Sequence, residues 1–169
     1  MTAFIALLRA VNVGGTGKLP MTELTAMCEG LGYGRVKTWI ASGNVVFTSD
    51  DDAAQVKAAL EAKLLAWAGK PVGVMVRTAG QMHGVLAANP FPDAAPNRVV
   101  AVFLDAPPGA LEGLKGQMDE AVRPGAREIY VHYPSGMGLS KLVIPAAASG
   151  TARNMNTIAK LADMAAALG

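Results

Sequence analysis

The sequence predicts an α+β protein whose first half runs strand, helix, strand, strand, helix, strand. Three observations carry that reading. An unbroken apolar run, "TAFIALLRAV", opens the chain at residues 2–11. Two alternating stretches, "RVKTWIA" and "NVVFTSD", flank Ser42-Gly43. Two segments with apolar residues at helical spacing separate these strands from their neighbours. Such an order over residues 2–77 is the split βαβ pattern of a ferredoxin-like layer, in which helices cover one face of an antiparallel sheet.

Each element has a local reason. The first run is too short for a buried helix and is bounded by Asn12 and glycines, so it reads as a central strand covered on both faces. Leu24, Met27, Cys28 and Leu31 then share a helical face behind Thr22 as N-cap, and Gly32 suits a left-handed end. The stretches around Ser42-Gly43 form a hairpin with a tight turn. Asp50 to Asp52 start a helix that presents Val56, Leu60, Leu64 and Trp67 on one side, and "PVGVMVR" (71–77) closes the sheet. Thr78 and Gln81 form a capping box for a short helix carrying Met82, Val85 and Leu86.

"NPFPDAAPN" (89–97), with three prolines, reads as a linker between residues 1–88 and a second, shortened unit over 98–169. In that second unit "RVVAVFLD" is a strand, Pro107-Pro108 introduces a helix with Leu111, Leu114 and Met118 inward, and "EIYVHY" is another strand. Ile158, Leu161, Ala162, Ala165 and Leu168 make the last helix amphipathic. The second half reads as a worn copy of the first.

Composition narrows the function. The 169 residues are 51% hydrophobic and 17% charged, enough for a packed core. The net charge of +2 is far below that of a dedicated duplex-DNA binder. One cysteine, Cys28, excludes an intramolecular disulfide and a multi-cysteine zinc site, which points to a cytoplasmic protein. The opening apolar run has no basic segment ahead of it and falls short of the roughly 20 residues that span a bilayer, so neither export nor a membrane partner is expected.

The stretch with most chemical promise is "LLRAVNVGGTGKLP" (7–20). It is not a Walker loop, because Asn12 stands at the first glycine position and Leu19 replaces the hydroxyl; Pro20 likewise spoils a dinucleotide fingerprint. What survives is a weaker anion-site reading, in which Gly14, Gly15 and Gly17 permit exposed amides, Lys18 supplies a cation and a helix start follows, although the glycines also suit a flexible turn for conformational reasons alone. In the split pattern the Ser42-Gly43-Asn44 bend emerges at the same sheet edge, so Asn12, Lys18, Ser42 and Asn44 converge, although Ser-Gly-Asn also suits a plain turn. Arg9, a cation interrupting the apolar strand, must reach the strand end or an acidic partner.

Two further polar islands are "YPSGMGLSKL" (133–142), with Lys141, and "TARNMNT" (151–157). In the latter Thr151 caps the final helix and leaves Arg153, Asn154 and Asn156 near its first turn. Elsewhere Cys28 reads as packing, and His83 and His132 are too isolated for a metal pair. Asp119-Glu120, like Asp50 to Asp52, reads as a solvated face or a helix end, and no acid and base pair is visible.

"IALLRAVNVGG", "SGNVVF", "VRT", "NPF", "YVHYPSGMGLSKL" and "TARNMNT", taken together, resemble the bacterial family known as domain of unknown function 1697 over nearly the whole chain. The resemblance implies two ferredoxin-like subdomains and no established activity. Arg9, Asn12, Gly14, Gly15, Ser42, Gly43, Asn44, Arg77, Lys141, Arg153, Asn154 and Asn156 are similar to the family's recurring polar and glycine set, without a transferable role. Ala10 departs from a usual glycine, Met155 from a frequent tryptophan, and "VIPAAASG" (143–150) from a longer helical segment.

The function expected is binding of a small anionic or phosphorylated ligand, a nucleotide or single-stranded nucleic acid, at the loop after the first strand, with no metal and no cofactor. Its ligand set is Arg9, Asn12, Gly14, Gly15, Lys18, Ser42, Asn44, Lys141, Arg153, Asn154 and Asn156. With aromatic residues at only 5%, a small anion is favoured over a long strand. Two alternatives remain open: an enzyme in which Arg9, Lys18 and Arg153 stabilise an oxyanion in an interdomain cleft, and a structural or assembly module without a ligand.

Overall fold

A computed structural model describes residues 1–9 and 18–168. Its centre is strand β1 (Thr2–Leu8). Phe4, Ala6 and Leu8 enter one core cluster, while Ala3, Ile5 and Leu7 are buried on the opposite face. A strand buried on both faces must be apolar throughout, and that explains the unbroken run in the sequence. β1 pairs antiparallel with β3 (Asn44–Ser49) on one side and β4 (Val74–Thr78) on the other, and β2 (Gly34–Thr38) forms the edge beyond β3.

Helices α1 (Met21–Gly30) and α2 (Ala53–Ala68) supply the rest of this core through Leu24, Cys28, Val56, Leu60 and Leu64. α2 begins after the aspartates that its sequence predicts, and a capping box holds the start: Asp52 Oδ1 accepts from the Gln55 amide at 2.8 Å, and Gln55 Oε1 accepts from the Asp52 amide at 2.9 Å. α1 differs from expectation. Thr22 lies inside the helix and Pro20 takes the cap position without a side-chain bond, because the fixed φ of proline already suits entry into the first turn. Gly32 is left-handed, with φ of +85°, as expected. Trp67 does not join its three expected partners and is 45% exposed.

After β4, Thr78 and Gln81 exchange the two bonds of a capping box and start α3 (Ala79–Ala87). The second sheet comprises β5 (Val99–Phe103), β6 (Ala121–Pro124), β7 (Glu128–His132) and β8 (Thr151–Asn154), in the order β6-β7-β5-β8. This repeats the order β2-β3-β1-β4, so the protein is built from two ferredoxin-like subdomains of α+β type. Contacts divide the chain into one unit of residues 1–83 with 160–169 and another of residues 84–159. The last helix, α4 (Met155–Ala166), buries Ile158, Leu161, Ala162 and Ala165, as its periodicity predicts.

The second subdomain corrects two expectations. No helix forms over 107–118; Gly109, Gly113 and Gly116 all adopt positive φ (+68°, +73° and +69°), which interrupts any helical path. Leu111 and Leu114 still pack on the core of Val100, Val102, Ile129 and Val131, but from an irregular segment bridged at Lys115 and Val143, while Met118 is exposed. Thr151 is also no cap: it lies in β8 opposite Phe103, and Asn154 Oδ1 accepts from the Thr157 amide at 2.9 Å to start α4. Among the described residues no helix is long and apolar enough to cross a membrane.

Two outcomes follow. A Cβ at Gly150 would lie 2.6 Å from Val102 Cγ1 and 2.7 Å from the Phe103 carbonyl oxygen, so Gly150→Ala should lower stability by about 1–3 kcal/mol in thermal melts. Burial raises the Cys28 thiol from 9.0 to about 12, and raises Tyr33 and Tyr130 from 10.0 to about 12. Arg153, lowered by burial from 12.5 to about 10, acts in the opposite sense. As pH rises from 9 towards 12 the unfolded chain releases the thiol and phenol protons first, so stability should fall across that window in chemical denaturation, and Cys28→Ala should flatten the early part of the fall.

Candidate functional site

Pairing brings three segments to one end of the first sheet. The Leu8 amide donates to Gly43 O at 2.9 Å, and the Arg9 amide donates to Gly73 O at 2.8 Å. The exit of β1 is thereby held between the β2–β3 hairpin and the start of β4. β1 and β2 both run antiparallel to β3 and therefore parallel to each other, so the helix joining them must start at this same end. Leu19 is buried in the core beside that start and leaves Lys18 exposed.

The hairpin is not the tight turn its sequence suggests. Residues 39–43 connect the strands, the Trp39 amide donates to Asn44 O at 3.0 Å, and Gly43 has φ of +86°. Asn44 is fully buried, and its Nδ2 donates to Trp39 O at 3.0 Å and to Ser42 Oγ at 2.9 Å. Asn44 and Ser42 thus shape the loop. Ile40, a β-branched residue, is left-handed at φ of +50°, a conformation that costs about 1–3 kcal/mol and persists only where neighbours enforce it.

The sequence-derived ligand set divides between the two units. Arg9, Lys18, Ser42 and Asn44 belong to the first; Asn12, Gly14 and Gly15 lie outside the described residues. Lys141, Arg153, Asn154 and Asn156 belong to the second. There Arg153 sits on β8, not in a helical turn: it is buried, and Nη1 donates to Thr151 Oγ1 at 2.7 Å and to Ala152 O at 2.9 Å. Asn154 is the cap of α4, while Asn156 and Lys141 are exposed.

Arg77, in the "VRT" motif, is the first unit's counterpart of Arg153. It is 1% exposed, and its Nη1 donates to Val76 O at 3.0 Å.

Sequence reasoning missed two features. Glu120, read as solvated, is buried; Ser140 Oγ and the Met118 amide donate to its carboxylate and hold it below the usual glutamate range. It lines an open cavity of about 590 Å³ with Met118, Asp119, Ser135, Leu139 and Ser140, whose polar groups largely bond one another. The second feature lies on β2. An extra residue between Gly34 and Lys37 bulges the edge strand and leaves Arg35 left-handed at φ of +53°. No local sequence signal marks such a bulge. Among the described residues no group of three or more His, Cys, Asp or Glu side chains could hold a metal ion.

The family described as "Protein of unknown function (DUF1697)" matches residues 1–130. A solved structure, that of conserved bacterial protein SP0830 from Streptococcus pneumoniae, is similar at a TM-score of 0.75 and 24% identity, covering 97% of this chain and 98% of that one. At that identity the likeness establishes the fold. A search of curated proteins found no match.

Removing the Asn44 amide strips the Trp39 carbonyl and the Ser42 hydroxyl of a buried donor. Asn44→Ala should therefore lower stability by about 1–3 kcal/mol in thermal denaturation.

Proposed function

We propose that this chain, which belongs to the DUF1697 family, binds a phosphate-bearing ligand, a nucleotide or single-stranded nucleic acid, where β1 meets the β2–β3 hairpin. The observation that carries the reading is the bond from the Leu8 amide to Gly43 O. It seats the exposed Arg9 beside a loop stiffened by Asn44, at the end of the sheet where Lys18 also emerges.

Arg9 offers a planar fork of donors suited to phosphate oxygens, and Lys18 a compact charge. Between them the sequence carries Gly14, Gly15 and Gly17, residues that let backbone amides approach an anion closely. The reading rests on the first unit and invokes neither metal nor cofactor. The single cysteine and its buried, unreactive thiol fit a cytoplasmic setting for such a ligand.

Calorimetric titration at low salt with inorganic pyrophosphate and with mononucleotides tests this. Arg9→Ala or Lys18→Ala should each weaken binding about tenfold or more, because each removes charge-assisted bonds to the ligand. No heat at millimolar ligand, or affinities unmoved by both substitutions, would discard the reading.

A further inference from the structure

A second cationic feature of the first unit involves neither Arg9 nor Lys18. Arg35 and Lys37 on edge strand β2 line a cleft of about 260 Å³ with Lys160, Asp163 and Met164 of α4 and Ala167 just beyond it. Three cations and one carboxylate line it. Among the described residues none of the four forms an ion pair, although Asp163 shares the cleft with the three cations. Charges placed to stabilise the fold would pair there.

The geometry around the cleft is enforced. The β2 bulge turns Arg35 left-handed, and its Nη1 donates to Leu168 O at 3.0 Å, which aims the guanidinium at α4. That bond engages one nitrogen of a five-donor fork, and the residue lines the cleft. Lys160 Nζ lies 4.8 Å from the centre of the Trp39 ring, so an indole adjoins the cations. Trp39 is 36% exposed and Ile40 52% exposed, so an aromatic surface stands open beside the charge.

We propose that this cleft binds the phosphoryl group of a nucleobase-bearing ligand whose base stacks on Trp39. The volume accepts a phosphoryl group and part of a sugar, and falls below the roughly 300 Å³ at which pockets enclose whole small molecules, so the base must lie outside, against the indole. Cations tracking a backbone beside an aromatic platform are how proteins hold single-stranded nucleic acid, and the same pairing suits a free nucleotide. A base-free phosphate would use only half of the arrangement. Plain edge-strand protection explains lysine on β2 but not the inward-turned arginine or the lysine held over the indole. Trp39 belongs to the β2–β3 hairpin that borders the β1 exit, but the cations used here are not those assigned there, and the proposal stands without Arg9 and Lys18.

Trp67, the other tryptophan, is exposed on α2, so Trp67→Phe leaves Trp39 as the sole indole reporter. In that background Trp39 fluorescence is titrated with a short thymidine oligonucleotide, with adenosine monophosphate and with inorganic phosphate. Saturable quenching by the oligonucleotide or the mononucleotide is expected. The double variant Lys37→Ala/Lys160→Ala should weaken it about tenfold and, for the oligonucleotide, lower the salt slope by about 0.7 per lysine removed, while Lys63→Ala, which removes one exposed lysine of α2, leaves both unchanged. Trp39→Ala, followed with a labelled oligonucleotide, should cost at least about fivefold. Quenching by both nucleotide forms with equal affinity assigns the site to nucleotides, and tighter binding of the oligonucleotide assigns it to strands. Absence of quenching at millimolar ligand, equal quenching by inorganic phosphate, or a double variant that behaves like Lys63→Ala overturns the proposal.

Discussion

Both sheets depend on a central strand that spends its hydrogen bonds on both edges and its side chains on both faces. β1 bonds to β3 and β4, β5 bonds to β7 and β8, and almost no side chain of either central strand reaches water. A one-residue slip would exchange the two buried faces, Phe4, Ala6 and Leu8 against Ile5 and Leu7, so packing pins the register. Once it is pinned, the bonds from Leu8 to Gly43 and from Arg9 to Gly73 follow, and the polar residues at the strand's exit are held where the hairpin and the start of β4 meet.

The likeness of the two halves goes deeper than strand order. In each, the last strand carries an arginine that is buried and bonds the carbonyl of the residue before it: Arg77 to Val76, Arg153 to Ala152. In each, the next residue caps the following helix, Thr78 for α3 and Asn154 for α4. Burying a guanidinium is costly unless its donors are satisfied, and the backbone beside it satisfies part of that need at both sites. A three-residue junction repeated in this way is stronger evidence of a copied unit than the generic order of a stable layer.

How much of this could be read in advance followed from how local each cause was. The apolar run of β1, the start of α2 at Asp50 to Asp52, the Thr78 and Gln81 box and the buried face of α4 all depend on residues within a few positions, and all were legible. The segment 107–118 was not, because leucine spacing suggested a helix that three left-handed glycines forbid. β8 was hidden because it pairs with β5, some fifty residues earlier, whereas its polar sequence imitates a helix start. At the candidate site the meeting of β1 with the hairpin followed from topology, but the roles did not: Asn44 turned inward to hold its loop, and the bulged Arg35 bonds Leu168 O, 133 residues away, a partner that no short window of sequence contains.

The first unit is discontinuous: it closes only when residues 160–168 join residues 1–83, and the Arg35 bond to Leu168 O is one of its seams. During vectorial synthesis the 76 residues from Gly84 to Ala159 leave the ribosome in between, an interval of about 4–15 s at ordinary elongation rates. Throughout that interval the amino-terminal sheet waits on its carboxy-terminal strap with the edge strand β2 uncapped. The half that is translated first is the half that is finished last.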